Sequence, residues 1–449
     1  MYDKFIKILR GYRDKEILCI IENTYYLIVA CFFLSIKRYW PKLQRYFLSN
    51  TLKYAKCHSH FYSELLKNKV IKPSTALEIL STLPISDKEL INRERDKIYS
   101  DQIGDSWDNW ANTGGSTGDP FCFPSKHTRL QFEGVHQMML YLKMGVRPWD
   151  TIVSVDGSRI DSNKLKENIF YKGVDSVIYG KYHFSTLYMN ENTLKYYIRD
   201  LNRFSPKIMR GYPSGILDIC NYIKEHNVGI HFQLRSLYLT SEYFDKKEAD
   251  FIESVLHCPV YGQYGHTEMS VFAYQEPHSL SYKCSPLYGC TEVLKDGRQV
   301  EVGQTGEIYV TGFSQRGVPF IRYRTGDLAV YGGKLKDGTV ILSSLKGRSK
   351  DFIIDNNKKK VYLVGLVFGG HNNVFNYIKK WQITQDKPGE IQIQIVRGQN
   401  FNSTHESDIK KLFSQKGIAC TIKYSKEIER TTSGKQKFVI QNIKDNVNN

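Results

Sequence analysis

The sequence predicts an α/β fold: a large N-terminal domain built on α/β sheets with a β-rich subdomain, then a small α/β C-terminal domain joined by a hinge. Three observations carry this. From about Glu133, short apolar runs alternate with segments of helical periodicity; after Glu268 the texture turns to strands and tight turns; beyond Asp351 the alternation starts afresh. At 449 residues the chain is long enough for one large core and a smaller second domain. Residues 1–110 then form a helical N-terminal region of the large domain, 111–349 its core, and 350–449 a mobile small domain.

In chain order, helical spacing covers residues 131–144 and a short apolar strand covers 151–155, ending at Asp156-Gly157. A strand at 176–179 precedes a helix at 193–204. Next come a strand at 207–210, a helix at 214–227, a strand at 236–240 and a helix at 246–256. In the β-rich part, strands are expected at 291–294, 306–311 and 339–342, with Asp296-Gly297 and Asp337-Gly338 as turn signals. The last unit reads as strands at 361–367, 391–396 and 420–424 with helices between them.

Hydrophobic content of 41% and charged content of 24% lie near globular averages, which argues against both disorder and a channel. A net charge of +17 favours polyanionic partners, but the lysines are scattered and no nucleic-acid-binding motif accompanies them, so no nucleic acid is expected. The nine cysteines form no C-x-x-C pair, which reads as a reducing compartment. Cys284 and Cys290 with His257 and Cys258 fit no common zinc spacing, and buried thiols are the simpler reading. The start of the chain lacks a secretory pattern, so a cytoplasmic location is expected. Residues 17–36 are rich in Ile, Leu, Tyr and Phe but broken by Glu22 and Asn23, and flanked by Arg13, Lys15, Lys37 and Arg38. They read either as a helix packed on the main body or as an interfacial helix making a peripheral contact at the inner membrane surface.

Five segments carry chemistry. In Asn112-Thr113-Gly114-Gly115-Ser116-Thr117-Gly118, glycines allow close backbone approach to a phosphate and hydroxyls supply neutral donors; a polar surface turn is the ordinary alternative. Tyr261-Gly262-Gln263-Tyr264-Gly265-His266-Thr267-Glu268 falls at the end of an expected strand, where a carboxylate can hold magnesium and an aromatic ring can lie on a purine. Its alternatives are an exposed Glu and a solvent-facing His266. In Arg322-Tyr323-Arg324-Thr325-Gly326-Asp327, a turn presents a carboxylate suited to two ribose hydroxyls, or else an Arg–Asp surface pair. Lys346-Gly347-Arg348-Ser349-Lys350 reads as a hinge or a charged linker, and Arg430-Thr431-Thr432-Ser433-Gly434-Lys435 as a mobile turn bearing a cation or a frayed tail.

In order and spacing these segments resemble the adenylate-forming superfamily of acyl-CoA synthetases and peptide-synthetase adenylation domains. They look most like its phenylacetate–CoA ligase-like branch, associated with capsule and surface polysaccharide synthesis. The likeness runs from about residue 40 to 440. It implies an AMP-forming ligase that uses ATP and Mg to turn a small carboxylic acid into an acyl-AMP, for transfer to a sugar, amine, alcohol or CoA. Alternatives are a dedicated acyl-CoA ligase and a non-catalytic nucleotide-binding scaffold of glycan assembly.

By the same resemblance, Thr113, Gly114, Gly115, Ser116, Thr117 and Gly118 wrap the β- and γ-phosphates, and Ser241 and Glu242 line the adenine pocket with Tyr264 and Gly265. Thr267 meets the α-phosphate, Glu268 holds magnesium, Asp327 binds the ribose with help from Arg348, Lys350 is the hinge, and Lys435 stabilises the α-phosphoryl group under attack. Residues 178–185 and 210–214 line the acyl pocket. The first segment runs on through Asp119 to Pro120, after which Phe121 stands where the family often has a Lys or Arg, and Glu429 stands where many members have a Pro before Arg430.

Overall fold

The computed structural model describes residues 15–103, 110–113, 121–125, 128–147, 150–173, 180–348, 352–362, 377–398 and 400–443. They fall into two compact units. The first runs to Thr325 and takes in Ala329–Leu345; the second comprises Gly326–Leu328 and the residues from Lys346 on.

The first unit opens with helices. Pro41 sits in the first turn of the helix Trp40–His58, where a missing N–H costs nothing. Leu48, Leu52 and Ala55 recur on one face of it and are fully buried with Tyr62, Val293, Ile308 and Val310. The helix Lys15–Ser35 packs Tyr26 and Ala30 against Val135 and Met139 of the helix Thr128–Lys143. Packing on the main body therefore accounts for its inner face, while Ile28 and Phe32 on its outer side stay 63% and 57% exposed. Among the described residues no helix is long and apolar enough to cross a membrane.

A 13-stranded sheet is the backbone of the first unit. Five neighbouring strands in it are parallel: Tyr182–Ser185, Ile152–Asp156, Ile208–Gly211, Ser236–Thr240 and Val260–Gly265. At Phe272–Gln275 the direction reverses, and the remaining strands on that side include Tyr282–Cys284, Gly289–Lys295, Thr305–Gly312, Tyr323–Lys334 and Val340–Arg348. The β-rich part thus continues the same sheet. Val153, Val155, Met209, Leu237 and Leu239 share a core with the helices Leu194–Phe204, Pro213–His226 and Lys246–Leu256. The last of these begins with a capping box, Asp245 with Glu248. Asp296-Gly297, both at positive φ, turn the chain tightly between Gly289–Lys295 and Arg298–Gln299.

The second unit carries a four-stranded sheet in the order Ala419–Tyr424, Glu390–Arg397, Ile378–Lys387, Val439–Gln441. The helix Ser403–Ser414 buries Ile409 and Phe413 against Trp381, Ile383, Ile391 and Ile393.

Two expectations change, and a strand at Tyr182–Ser185 joins those expected. The strand expected at 176–179 lies outside the described residues. Where helices were expected between 367 and 391, the described residues form the strand Ile378–Lys387, whose short Trp381/Ile383 alternation is outnumbered by Lys and Gln. Asp327 lies not in a turn but within the 12-residue strand Tyr323–Lys334, which accommodates a left-handed Gly326 without ending.

Candidate functional site

The parallel strands deliver their C-terminal ends to one edge of the sheet, the place where open α/β sheets hold ligands. Val260–Gly265 arrives there beside Ser236–Thr240, and Thr240 donates to Gln263 across the pair. Gly262 suits this packing: a Cβ there would crowd Gln275 Oε1 and Phe244. Tyr264 is half-buried with its ring edge-on to Tyr282, and Gly265 closes the strand.

Glu268, three residues on, is 7% exposed and not the exposed carboxylate that a bare loop would give. The Tyr323 hydroxyl donates to its Oε1 at 3.0 Å, and His266 Nδ1 stands 3.2 Å from its Oε2. Burial alone would push this carboxyl up, but the neighbouring His266 and the Tyr323 hydroxyl outweigh it and hold the group below the usual carboxylate range. His266 is correspondingly not solvent-facing: both ring nitrogens are buried, and Nδ1 has Glu268 as its polar neighbour. A buried carboxylate with spare lone pairs suits a hard cation. Thr267 is exposed at the same edge.

Ser241 is an exposed residue at φ +71°. Glu242 accepts from the backbone N–H of Ser214 at 3.0 Å and from its hydroxyl at 3.1 Å, capping the helix Pro213–His226. Thr113 ends the strand Trp110–Thr113, which pairs antiparallel with Phe121–Pro124; Gly114, Gly115, Ser116, Thr117 and Gly118 lie outside the described residues. Lys350 does too, and Arg348 is the last residue of Val340–Arg348. Asp327 is half-buried in its strand.

Of the arginines beside Asp327, Arg322 is buried and Arg324 lies at the surface, and both pair with glutamates. Arg322 is 8% exposed and grips Glu292 with two nitrogens at 3.1 and 3.2 Å, while donating to the carbonyls of Ser81 and Leu83. Arg324 forks onto Glu307 at 2.7 Å twice. In the second unit the turn before Lys435 is not frayed. Thr431 N–H donates to the Lys435 carbonyl at 2.9 Å, Lys435 N–H to Thr431 Oγ1 at 3.1 Å, and Arg430 to the Gly434 carbonyl at 3.0 Å. Gly434 stands at φ +77°, a conformation that suits glycine. Cys258, Cys284 and Cys290 are buried free thiols, each pushed up to about 12, chiefly by burial.

Residues 353–442 match the family model described as the CapK C-terminal domain. Over 417 residues the chain is 27% identical to Protein CapK of Staphylococcus aureus, spanning 90% of this chain and 89% of that protein. A 2-hydroxyisobutyryl-CoA ligase in the postadenylation state, in complex with R3-HIB-AMP, superposes with a TM-score of 0.67 at 18% identity, over 89% of this chain and 88% of that one. An acyl acid amido synthetase in complex with 2,4-DB superposes with a TM-score of 0.59 at 13% identity, over 90% and 89%. The fold is that of the adenylate-forming ligases.

Within this adenylate-forming fold, sequence reasoning missed Tyr323 as the partner of Glu268 and the Asp156–His183 ion pair, 2.7 Å apart at the ends of adjacent parallel strands. Tyr323 is 55 residues from Glu268, so only the sheet order brings them together. Asp156 at a predicted strand end was a visible signal, but nothing local pointed to His183.

Proposed function

We propose that the chain activates a small carboxylic acid with ATP, releases pyrophosphate, and passes the resulting acyl-AMP to an acceptor. The observation that carries this reading is Glu268, an ionised carboxylate buried at the end of a parallel strand beside His266, in a chain with the adenylate-forming fold. In this reading the substrate carboxylate attacks the α-phosphorus, an O–P bond forms, and the bond to pyrophosphate breaks without a protein nucleophile. Thr113 to Gly118 hold the outer phosphates. Tyr264, Gly265, Ser241 and Glu242 shape the adenine pocket, with Glu242 doing so through the helix end it caps. Asp327 and Arg348 serve the ribose, and Thr267 the α-phosphate. Glu268 is the residue suited to hold magnesium, which when bound would offset phosphate charge. Lys435 supplies a cation to the phosphoryl group as charge redistributes, with Lys350 as the hinge of its domain, residues 350–449.

The likeness to Protein CapK supports a place in capsule or surface polysaccharide biosynthesis, with a sugar, amine, alcohol or CoA as acceptor. A site at the inner membrane surface is supported by the exposed Tyr25, Ile28 and Phe32 on one helix face, followed by the exposed Lys37, Arg38 and Lys42. Carboxylate-dependent ATP–pyrophosphate exchange over a panel of acids tests the core of the proposal. Exchange with at least one acid, dependent on magnesium, is the expected result. ATP binding with no exchange for any acid would instead mark a nucleotide-binding scaffold.

A further inference from the structure

The two faces of the parallel strands follow different rules at their C-terminal ends. Parallel strands covered on both sides ordinarily carry apolar side chains on both. One face obeys, with Val153, Val155, Met209, Leu237 and Leu239 in the core. On the other, the register row through Ser154 reads His183, Ser154, Arg210, Tyr238, and Asp156 follows two residues further along its strand. Two residues earlier the same face is apolar again, Ile152 and Ile208 packing on Leu140 and Tyr141. The polar patch is thus confined to the edge where this sheet gathers its ligand-facing ends. Buried polar groups cost stability unless they are satisfied, and positions that break the local rule concentrate at binding sites.

Within the patch, Asp156 has acceptor capacity left. Its Oδ2 accepts from Ser154 Oγ at 2.9 Å and faces His183 Nδ1 at 2.7 Å, and its Oδ1 accepts from Ser158 N–H at 2.9 Å. A carboxylate has about four acceptor positions, so one remains, and 21% of the side chain is open to solvent. The second nitrogen of His183 lies 3.2 Å from the Gly180 carbonyl, so the ring is held between two acceptors and can donate to Asp156 through Nδ1. Burial opposes ionisation of Asp156, but His183, Ser158 and Ser154 together hold it far below the ordinary carboxylate range. Burial and then the Asp156 charge push the neighbouring Tyr212 phenol up to about 12.

We propose that the acid activated here bears a hydrogen-bond donor, a hydroxyl or an ammonium, which Asp156 reads while His183 holds it in place. The inference rests on the reading that this chain activates a carboxylic acid. A plain hydrocarbon acid would strip water from the anionic Asp156 and return no donor.

The test compares matched sets of acids, each a hydrocarbon acid with its hydroxy and amino analogues, in ATP–pyrophosphate exchange with the full chain and with Asp156→Asn. For at least one set, the hydroxy or amino member should exceed its hydrocarbon analogue in kcat/KM by about 10- to 100-fold, the range of a hydrogen bond to a charged group. Asp156→Asn should erase most of that preference through KM, with kcat for the best acid changed less. A greater loss for the amino than for the hydroxy member identifies an ammonium, and equal loss a hydroxyl. Hydrocarbon acids exchanging as well as their analogues would overturn the inference while leaving acid activation standing, as would an unchanged preference in a folded Asp156→Asn chain. Silence with every acid would bring down both.

Discussion

Glu268 and Lys435, the two charges on which the proposed chemistry turns, are built in opposite ways. Glu268 is a buried group that has His266 from its own loop and, from 55 residues away, the Tyr323 hydroxyl that only the sheet brings to it. Lys435 sits on a turn made by its own neighbours, Thr431, Arg430 and Gly434, in a separate compact unit. The difference teaches that the carboxylate is part of the core and cannot be altered without touching stability. Lys435 takes part in its turn through its backbone N–H and carbonyl, so loss of the side chain is expected to leave that turn closed.

The largest expected effect lies on the core side. Arg322→Ala should cost about 3–5 kcal/mol in urea unfolding, because it leaves Glu292 and the buried Leu83 carbonyl without their donor. A loss under about 1 kcal/mol would show that the pair is no more than a surface contact. Glu268→Ala comes next, at about 1–3 kcal/mol, by stranding the Tyr323 hydroxyl and His266. Its stability loss should accompany a loss of exchange activity, and activity lost at full stability would contradict the comparison.

Tyr323→Phe should cost about 1 kcal/mol at neutral pH. The sign of its pH dependence follows from the depressed carboxyl. A lowered folded pKa stabilises above the ordinary carboxylate value of about 4.3 and is lost as pH falls through the folded one. The gap between wild type and Tyr323→Phe should therefore narrow in acid; a gap that widens there would refute the assignment.

On the other side of the comparison, Gly434→Ala should cost about 1 kcal/mol, felt in the second unit alone, since φ +77° strains any side chain. The smallest effect on stability belongs to Ile28→Glu with Phe32→Glu, which touches only exposed positions. The double change should abolish flotation with vesicles containing phosphatidylglycerol while leaving exchange activity in solution unchanged. Equal flotation of both chains would remove the membrane contact.

The repeating part of the fold was legible because its signals are local. The strand Ser236–Thr240 and the helix Lys246–Leu256 fall where the apolar periodicity puts them. Ile378–Lys387 was not legible, because its inward positions Trp381 and Ile383 are set among lysines and glutamines that mask the period of two. In the site, Glu268 was visible as a carboxylate after a strand, but its burial was not. Tyr323, Arg322 with Glu292, and His183 with Asp156 are pairings across strands, and only the sheet order decides which strands meet.

The central claim is that a core carboxylate and a C-terminal ammonium serve one adenylation step. A cycle of Glu268→Gln, Lys435→Ala and the double variant in carboxylate-dependent ATP–pyrophosphate exchange tests it most directly. Lys435→Ala should lose about 10²–10³ in rate while retaining ATP binding and its melting temperature. The double variant should fall little further than the worse single, as groups acting in one step do. Undiminished exchange by Lys435→Ala would contradict the account.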